Sequence, residues 1–139
     1  MMIDMNTPIG QKIEQRLQQE QIIWLTTVDS RRTPQPRPVW FHWDGETVLI
    51  FSQVKGAKVR HIADNPRVAL NFNTDEEGGE VGVLIGEAVL LKEPVLAGRM
   101  KAYLEKYAQG IQDIGLTPEA MLGEYPVVIL VTPLAVRGF

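Results

Sequence analysis

The sequence predicts a mainly β (α+β) fold in which an antiparallel sheet closes into a barrel and helices flank it. The 139 residues match the length of one domain, 1–139, and 45% of them are hydrophobic, which is enough for a core. Six segments have the β-branched, aromatic or alternating composition of strands. The turns between the first three are too short for a parallel crossover, and barrel closure removes the exposed edges of such a sheet.

The six predicted strands are bounded by turn residues. They are residues 22–28, 35–43, 47–52, 67–73, 81–91 and 127–136. Pro36 and Pro38 cannot donate to a ladder, so the first half of the second strand is predicted to be a sheet edge or a strand entry. Gly82 and Gly86 indicate bulges or close backbone contacts in the fifth strand. Pro133 is predicted to interrupt the last strand.

Threonine–proline pairs predict two helix starts, because threonine caps a helix and proline favours its first position. Thr7-Pro8 begins an amphipathic helix over residues 8–20, and Thr117-Pro118 begins a helix late in the chain. A short helix is predicted over residues 57–64, where the following Asn-Pro pair stops it. Pro94 is predicted to open a further helix with an apolar stripe of Val95, Leu96, Met100, Tyr103, Leu104 and Tyr107.

Composition limits the classes of function. The chain has no cysteine, which excludes disulfides, thiolate metal sites and cysteine nucleophiles. No apolar run reaches the roughly 18–20 residues that cross a bilayer, and the N-terminus does not resemble a secretory signal, so a cytoplasmic protein is expected. The net charge is −3, yet residues 31–67 contain seven basic and three acidic side chains. Such a window suits a small anionic ligand, and its alternative interpretation is a solvated basic face.

Acid–base and metal chemistry have few candidates. His42 and His61 are the only histidines, and neither lies in a recognisable constellation with serine, aspartate or metal-ligand spacing. His42 is expected to be a hydrogen-bonded residue on one face of a sheet, and His61 a solvent-exposed residue of the short helix. The carboxylates at 75–77 are more simply a solvated loop.

Residues 37–67 contain the most informative pattern. The strand motif Pro38-Val39-Trp40-Phe41 is followed by the strand end Phe51-Ser52 and by Lys58-Val59-Arg60 on the short helix. In this order the motifs resemble the pyridoxamine 5′-phosphate oxidase-like superfamily, the FMN-binding split barrels. The resemblance is nearest to the branch of small deazaflavin (F420)-dependent reductases. It implies a six-stranded antiparallel split β-barrel of Greek-key topology with flanking helices.

The resemblance also implies a phosphate site. A phosphate needs convergent donors and positive charge, and a helix N-terminus supplies N–H groups and a favourable dipole. By the pattern of the superfamily, Ser52, Gln53 and Lys58 would hold the phosphate and ribityl chain of the cofactor. Arg37 or Arg60 would add positive charge.

The ring of the cofactor would meet the second strand. By the same pattern, the backbone around Val39 and Trp40 would contact the polar edge of the ring. Alternate residues of a strand face opposite ways, so at most one of Trp40 and Trp43 faces a ligand. Trp40 is predicted to face the ring or a dimer partner, and Trp24 and Trp43 are predicted to lie in the core.

The choice between FMN and F420 stays open. FMN is the broader ligand of the superfamily, whereas the motif order favours F420. The long anionic tail of F420 would suit further basic residues, namely Arg31, Arg32 and Lys55. The resemblance implies a homodimer with cofactor sites between subunits and a small-molecule substrate. No nucleic-acid or membrane partner is expected.

The sequence departs from the superfamily where a pyridoxamine phosphate oxidase grips its substrate. Residues 134–139 contain one arginine and no histidine, and His42 stands where the second strand usually has lysine or arginine. The expected function is therefore a flavin- or deazaflavin-dependent oxidoreductase that does not oxidise vitamin B6. One alternative is a non-catalytic flavin or heme carrier or sensor of the same fold. Another is a β-barrel interaction module without a cofactor.

Overall fold

The computed structural model describes residues 4–139 as seven strands and five helices. The strands are β1 (Ile23–Val28), β2 (Pro34–Val39), β3 (His42–Trp43), β4 (Val48–Ser52), β5 (Arg67–Asn71), β6 (Gly82–Leu91) and β7 (Val127–Gly138). The helices are α1 (Pro8–Gln19), α2 (Ala57–Asp64), α3 (Ala97–Lys106), α4 (Ala108–Asp113) and α5 (Pro118–Glu124). None of these helices is long and apolar enough to cross a membrane.

All seven strands form one antiparallel sheet in the order β2-β1-β5-β6-β7-β4-β3. β2 and β3 are the two edges of this sheet, yet only Trp40 and Phe41 separate them in the chain. Three Cα–Cα steps span at most about 11 Å, so the sheet must curl until its edges lie side by side. The result is a split barrel, which confirms the predicted fold class. We call the gap between β2 and β3 the seam.

The seam corrects the predicted second strand. Residues 35–43 were expected to form one strand, but Trp40 and Phe41 leave the ladder and divide it into β2 and β3. β2 pairs with β1, and β3 pairs with β4, so the chain passes from one edge of the sheet to the other here. The sheet therefore has seven strands instead of six.

β2 is an edge strand, as its prolines predicted. Its ladder with β1 pairs residues 34–39, in which Pro34, Pro36 and Pro38 alternate with three residues that have an N–H group. Because alternate N–H groups of a strand point to the same side, those three donors face β1. The outer edge then has proline at every donor position, so it cannot template another strand.

The apolar side chains form two cores on opposite faces of β4. Val48 and Ile50 point into the barrel, whose interior is closed by α1. Leu49 and Phe51 point outwards and are covered by aromatic residues of the C-terminal helices. β4 is apolar because both of its faces are buried.

Several local predictions can be compared with the structure. The helix over 57–64 and the cap of α1 are confirmed, since Thr7 Oγ1 accepts from the Gly10 N–H at 3.0 Å. The bulge predicted in β6 lies in β7 instead, because the consecutive residues Ile85 and Gly86 pair with Ala135 and Pro133 and leave Leu134 unpaired. A Cβ at Gly86 would lie 2.9 Å from the Thr132 carbonyl oxygen, which confirms the predicted close backbone contact. Pro133 does not end the last strand, since β7 runs on to Gly138, and the predicted interruption is the unpaired Leu134 directly after that proline.

Three further predictions are corrected by tertiary contacts. The helix expected from Pro94 begins at Ala97. Trp24 is half-buried instead of in the core, and its indole N–H donates to Asn73 Oδ1 at 2.9 Å. His61 is half-buried instead of solvent-exposed, with Nδ1 lying 2.8 Å from Thr27 Oγ1.

The backbone N–H and carbonyl of Phe41, which lies at the seam, are satisfied from the end of α3. The Tyr107 hydroxyl accepts from the Phe41 N–H at 2.8 Å and lies 2.8 Å from the Gln21 carbonyl oxygen, to which it can donate. Lys106 Nζ donates to the Phe41 carbonyl at 2.8 Å and lies 3.7 Å from the centroid of the Phe41 ring. Burial lowers the pKa of Lys106 to about 8, with Glu20 opposing the change. The end of α3 thus holds the two edges of the sheet together.

Tyr107→Phe should destabilise the protein by about 1–3 kcal/mol, because the buried Phe41 N–H loses its acceptor. Urea denaturation at neutral pH measures this as a lower midpoint at an unchanged slope. Tyr125→Phe is the matched control, since its hydroxyl has no hydrogen-bond partner within residues 4–139, and it should change stability by less than about 0.5 kcal/mol. Equal effects of the two variants would contradict the role given to Tyr107.

Candidate cofactor site

The turn between β4 and α2 places a buried hydroxyl beside the start of a helix. β4 ends at Ser52, whose side chain is 1% exposed. Gly56 is the N-cap of α2, and no side chain caps it. A Cβ at Gly56 would lie 2.8 Å from Ser52 Oγ, so only glycine allows this close approach. The start of α2 and the serine hydroxyl therefore converge on one point.

That point opens into a cavity of about 370 Å³. Its lining comes from β2, the seam, β4, the turn before α2 and the C-terminal helices. The lining residues are Ile22, Pro38, Val39, Trp40, Phe51, Ser52, Gln53, Gly56, Lys58, Tyr103, Ile114, Met121 and Tyr125. Polar groups lie around Ser52 and Lys58, and aromatic and apolar side chains form most of the rest.

Five of the eight residues predicted to bind the cofactor line this cavity. They are Val39, Trp40, Ser52, Gln53 and Lys58. The structure brings them together from two strands that lie at different places in the sheet and from α2. Their roles toward a cofactor remain predictions.

The other three predicted residues lie outside the lining, and all are exposed. They are Arg37, Lys55 and Arg60. Arg37 Nη1 donates to the Pro36 carbonyl at 2.7 Å, and Arg60 Nη1 donates to the Lys55 carbonyl at 3.4 Å. Side chains in such positions can reach a part of a ligand that projects from the cavity. They do not form its wall.

The remaining basic candidates are also absent from the lining. Arg31 and Arg32 are exposed in the turn between β1 and β2. His42 accepts a hydrogen bond at Nδ1 from Arg99 Nε, at 3.1 Å. Burial and the positive charge of Arg99 lower the pKa of His42, so the imidazole stays neutral. His42 is the hydrogen-bonded sheet residue that its position predicted.

Lys58 is a half-buried basic residue that has no carboxylate partner within residues 4–139. Burial lowers its pKa, and repulsion by Arg37 lowers it further. Within residues 4–139, neither Lys58 nor Arg37 lies within salt-bridge distance of a carboxylate. Two basic side chains at the edge of a cavity with no counter-ion create a site that favours an anionic group.

The aromatic wall was missed by sequence reasoning. Tyr103, Met121 and Tyr125 lie in or directly after helices that follow the motifs by some forty residues or more in the chain. The available signal was the apolar stripe of the helix predicted from Pro94, which includes Tyr103. That stripe indicates a buried face and does not indicate what the face covers.

The Tyr103 hydroxyl is a neutral donor in the cavity. Its ring packs edge-on against Phe51 at a centroid distance of 4.7 Å, and the residue is 1% exposed. Its hydroxyl has no hydrogen-bond partner within the described residues. Burial raises the pKa of Tyr103, so the hydroxyl keeps its proton at physiological pH. No group of three or more metal-ligating side chains occurs within residues 4–139.

The fold is a split barrel with a cavity that is cationic at one end and aromatic at the other, and sequence comparison gives the family. The family model described as pyridoxamine 5′-phosphate oxidase matches residues 9–138. The chain therefore belongs to the pyridoxamine 5′-phosphate oxidase family, as the motif order predicted.

Three solved structures illustrate the likeness. An F420 reductase is 29% identical, with a TM-score of 0.69 and a match covering 89% of this chain and 94% of the reductase. A Listeria innocua protein described as a candidate pyridoxamine 5′-phosphate oxidase is 26% identical, with a TM-score of 0.66 and coverage of 91% and 94%. HutZ, a heme storage protein from Vibrio cholerae, is 15% identical, with a TM-score of 0.65 and 95% of each chain covered, which shows a shared fold alone. No curated protein sequence matched the chain.

Arg37→Gln should raise the pKa of Lys58, because it removes the nearby positive charge. NMR titration of the lysine ¹³Cε signals measures this directly, with the Lys58 signal assigned by Lys58→Arg. Arg67→Gln removes an equally exposed arginine from β5 and should leave the Lys58 titration unchanged. A Lys58 titration that is the same in wild type and Arg37→Gln would contradict the electrostatic coupling.

Proposed function

We propose that the protein is an oxidoreductase that binds FMN or the deazaflavin coenzyme F420 through its phosphate in the cavity between the seam and α2. The observation that carries this proposal is the placement of Ser52, Gln53 and Lys58 in one cavity, where the lysine has no carboxylate partner among residues 4–139. FMN and F420 share a phosphate and a three-ring system, so the same two ends of the cavity serve either one.

The phosphate is assigned to the α2 end. The first-turn N–H groups of a helix and its dipole favour an anion, and the uncapped start of α2 adjoins the buried Ser52 hydroxyl. Lys58 lies in that first turn, where an anion would relieve the repulsion between Lys58 and Arg37. The site supplies hydroxyl, ammonium and backbone donors together, as a phosphate requires.

The ring system is assigned to the aromatic end. Trp40, Phe51, Tyr103 and Met121 offer a mainly apolar wall for a flat aromatic ligand. The bound cofactor would supply the hydride or electron transfer itself. The residues of this chain would bind it, exclude water from its ring and offer the neutral hydroxyl of Tyr103 as a hydrogen-bond donor.

The C-terminal strand supports a substrate other than pyridoxamine phosphate. Arg137 is the last basic residue of the chain, and it lies exposed on β7 opposite Val83, outside the cavity lining. No histidine lines the cavity. The exposed residues Lys55 and Arg60, with Arg37, would suit a cofactor whose anionic tail projects beyond the phosphate.

Titration of the purified protein should show saturable binding of FMN or F420, with micromolar or tighter affinity, by flavin or deazaflavin fluorescence. Lys58→Ala should weaken binding by about 1.5–3 kcal/mol, or about ten- to a hundredfold, because a charge-assisted hydrogen bond is lost. Lys58→Arg keeps the charge and should lose less. Lys12→Ala, an exposed lysine of α1, should bind as wild type does. Absence of saturable binding of both cofactors would refute the proposed function.

Turnover separates an enzyme from a carrier. The cofactor-loaded protein should oxidise NAD(P)H or reduced F420 in the presence of an organic acceptor, faster than the free cofactor does. Tight binding without any rate enhancement across an acceptor screen would point to a carrier or sensor. A hemin titration in the same series tests the heme carrier, and hemin binding that Lys58→Ala does not affect would place it elsewhere.

We further propose that the protein is a cytoplasmic homodimer. Ile114 lines the cavity and is nevertheless 54% exposed, and Val54, in the turn before α2, is 66% exposed. These apolar side chains near the cavity suit a covering subunit. The contact would use side chains of this face, since the proline edge of β2 cannot add a strand.

Size-exclusion chromatography with light scattering should give about twice the chain mass of 15.6 kDa. Ile114→Asp should shift the mass toward that of one chain, because it places a charge in the proposed contact. Gln112→Asp, at an exposed position of α4 two residues before Ile114, is the control and should leave the mass unchanged. A wild-type mass of 15.6 kDa at micromolar concentration would contradict the dimer.

A further inference from the structure

Trp40 lies at the seam between β2 and β3 and lines the cavity. Its indole is in contact with other residues on two sides. One face stacks on the Tyr107 ring, with centroids 4.6 Å apart and planes 2° from parallel. Its six-membered ring abuts Gly110 of α4, where an added Cβ would lie 3.1 Å from both Cη2 and Cζ2. The indole therefore has no room to withdraw from the cavity in the direction of α4.

Both supports come from the same helical face. Tyr107 and Gly110 are three residues apart, and the Ile111 N–H donates to the Tyr107 carbonyl at 2.8 Å. The Tyr107 ring cannot shift easily, because its hydroxyl is bound to the backbone of Phe41. Tyr107 and Gly110 thus move only together with α4, and the indole is fixed relative to both.

We propose that Gly110, which does not itself line the cavity, is a positioning residue that acts on cofactor binding through Trp40. The missing side chain at position 110 lets the indole sit back against α4, and this sets the width of the cavity at its aromatic end. Any side chain at Gly110 would push the indole by a few tenths of an ångström, either toward the cavity or against Tyr107. The inference rests on the proposed function, since the ring that occupies this end is taken to be that of FMN or F420.

Gly110→Ala tests the inference, and Gly98→Ala is its matched control. Gly98 lies in α3, and a Cβ there meets nothing within 4 Å, so both variants gain the same helix propensity and differ in the contact with Trp40. With 5-fluorotryptophan incorporated, ¹⁹F NMR reports each of the three tryptophans, and Trp40→Phe assigns the Trp40 signal. Gly110→Ala should shift the Trp40 signal, and Gly98→Ala should not.

Cofactor binding is the functional measurement. Gly110→Ala should weaken the Kd for whichever of FMN and F420 the wild type binds by about tenfold. Gly98→Ala should keep the wild-type Kd. The double variant Trp40→Phe/Gly110→Ala should bind as Trp40→Phe alone does, because the smaller ring clears the added methyl group.

The outcomes separate the two proposals. A shifted Trp40 signal with an unchanged Kd would overturn the positioning role and leave the proposed function intact. An unshifted signal would overturn the steric contact itself. If the wild type binds neither cofactor, the proposed function fails and the positioning role fails with it. If Gly110→Ala does not fold, the double variant Trp40→Phe/Gly110→Ala should still fold, because its smaller ring relieves the steric contact. A double variant that does not fold either would contradict the inference.

Discussion

The structure depends on the hydrogen bonds that Tyr107 and Lys106 make to Phe41 at the seam. The two edge strands of the sheet are consecutive in the chain, so the linking residues must leave both ladders, and their backbone groups need other partners. The Tyr107 hydroxyl accepts from the Phe41 N–H, and the Lys106 ammonium donates to the Phe41 carbonyl, at 2.8 Å each. Without them the seam would expose unpaired backbone to the core or open the barrel.

The same contact builds the cavity. The Tyr107 ring that closes the seam also stacks on Trp40, which lines the cavity. The barrel closure and the aromatic end of the site therefore share one residue from the end of α3. The cationic end of the cavity is independent of this contact, since it is formed by the short turn from Ser52 to Lys58. A rigid aromatic end and an uncompensated cationic end suit one ligand that is flat at one end and anionic at the other.

Local sequence signals accounted for the cationic end of the cavity. The helix over 57–64 has the bounds that were predicted, because Gly56 and the Asn-Pro pair after it act locally. Ser52, Gln53 and Lys58 lie within one turn of chain, so their meeting in the cavity follows from that short turn.

Local sequence signals did not predict the long-range contacts. The strand pattern continues through Trp40 and Phe41, and nothing local marks the point where the chain crosses from one sheet edge to the other. The partners of that point lie on α3, whose apolar stripe predicts burial of Tyr103 and Tyr107 without naming what they cover. No sequence pattern marks Gly110, because its proposed role depends on close contact with the indole of Trp40, seventy residues earlier in the chain.

A crystal structure of the protein with FMN or F420 tests the central claim most directly. We expect the phosphate to lie within hydrogen-bond distance of Ser52 Oγ and Lys58 Nζ, with the ring system against the aromatic wall that contains Trp40. A phosphate bound elsewhere on the barrel, or a ring system outside this cavity, would contradict the account.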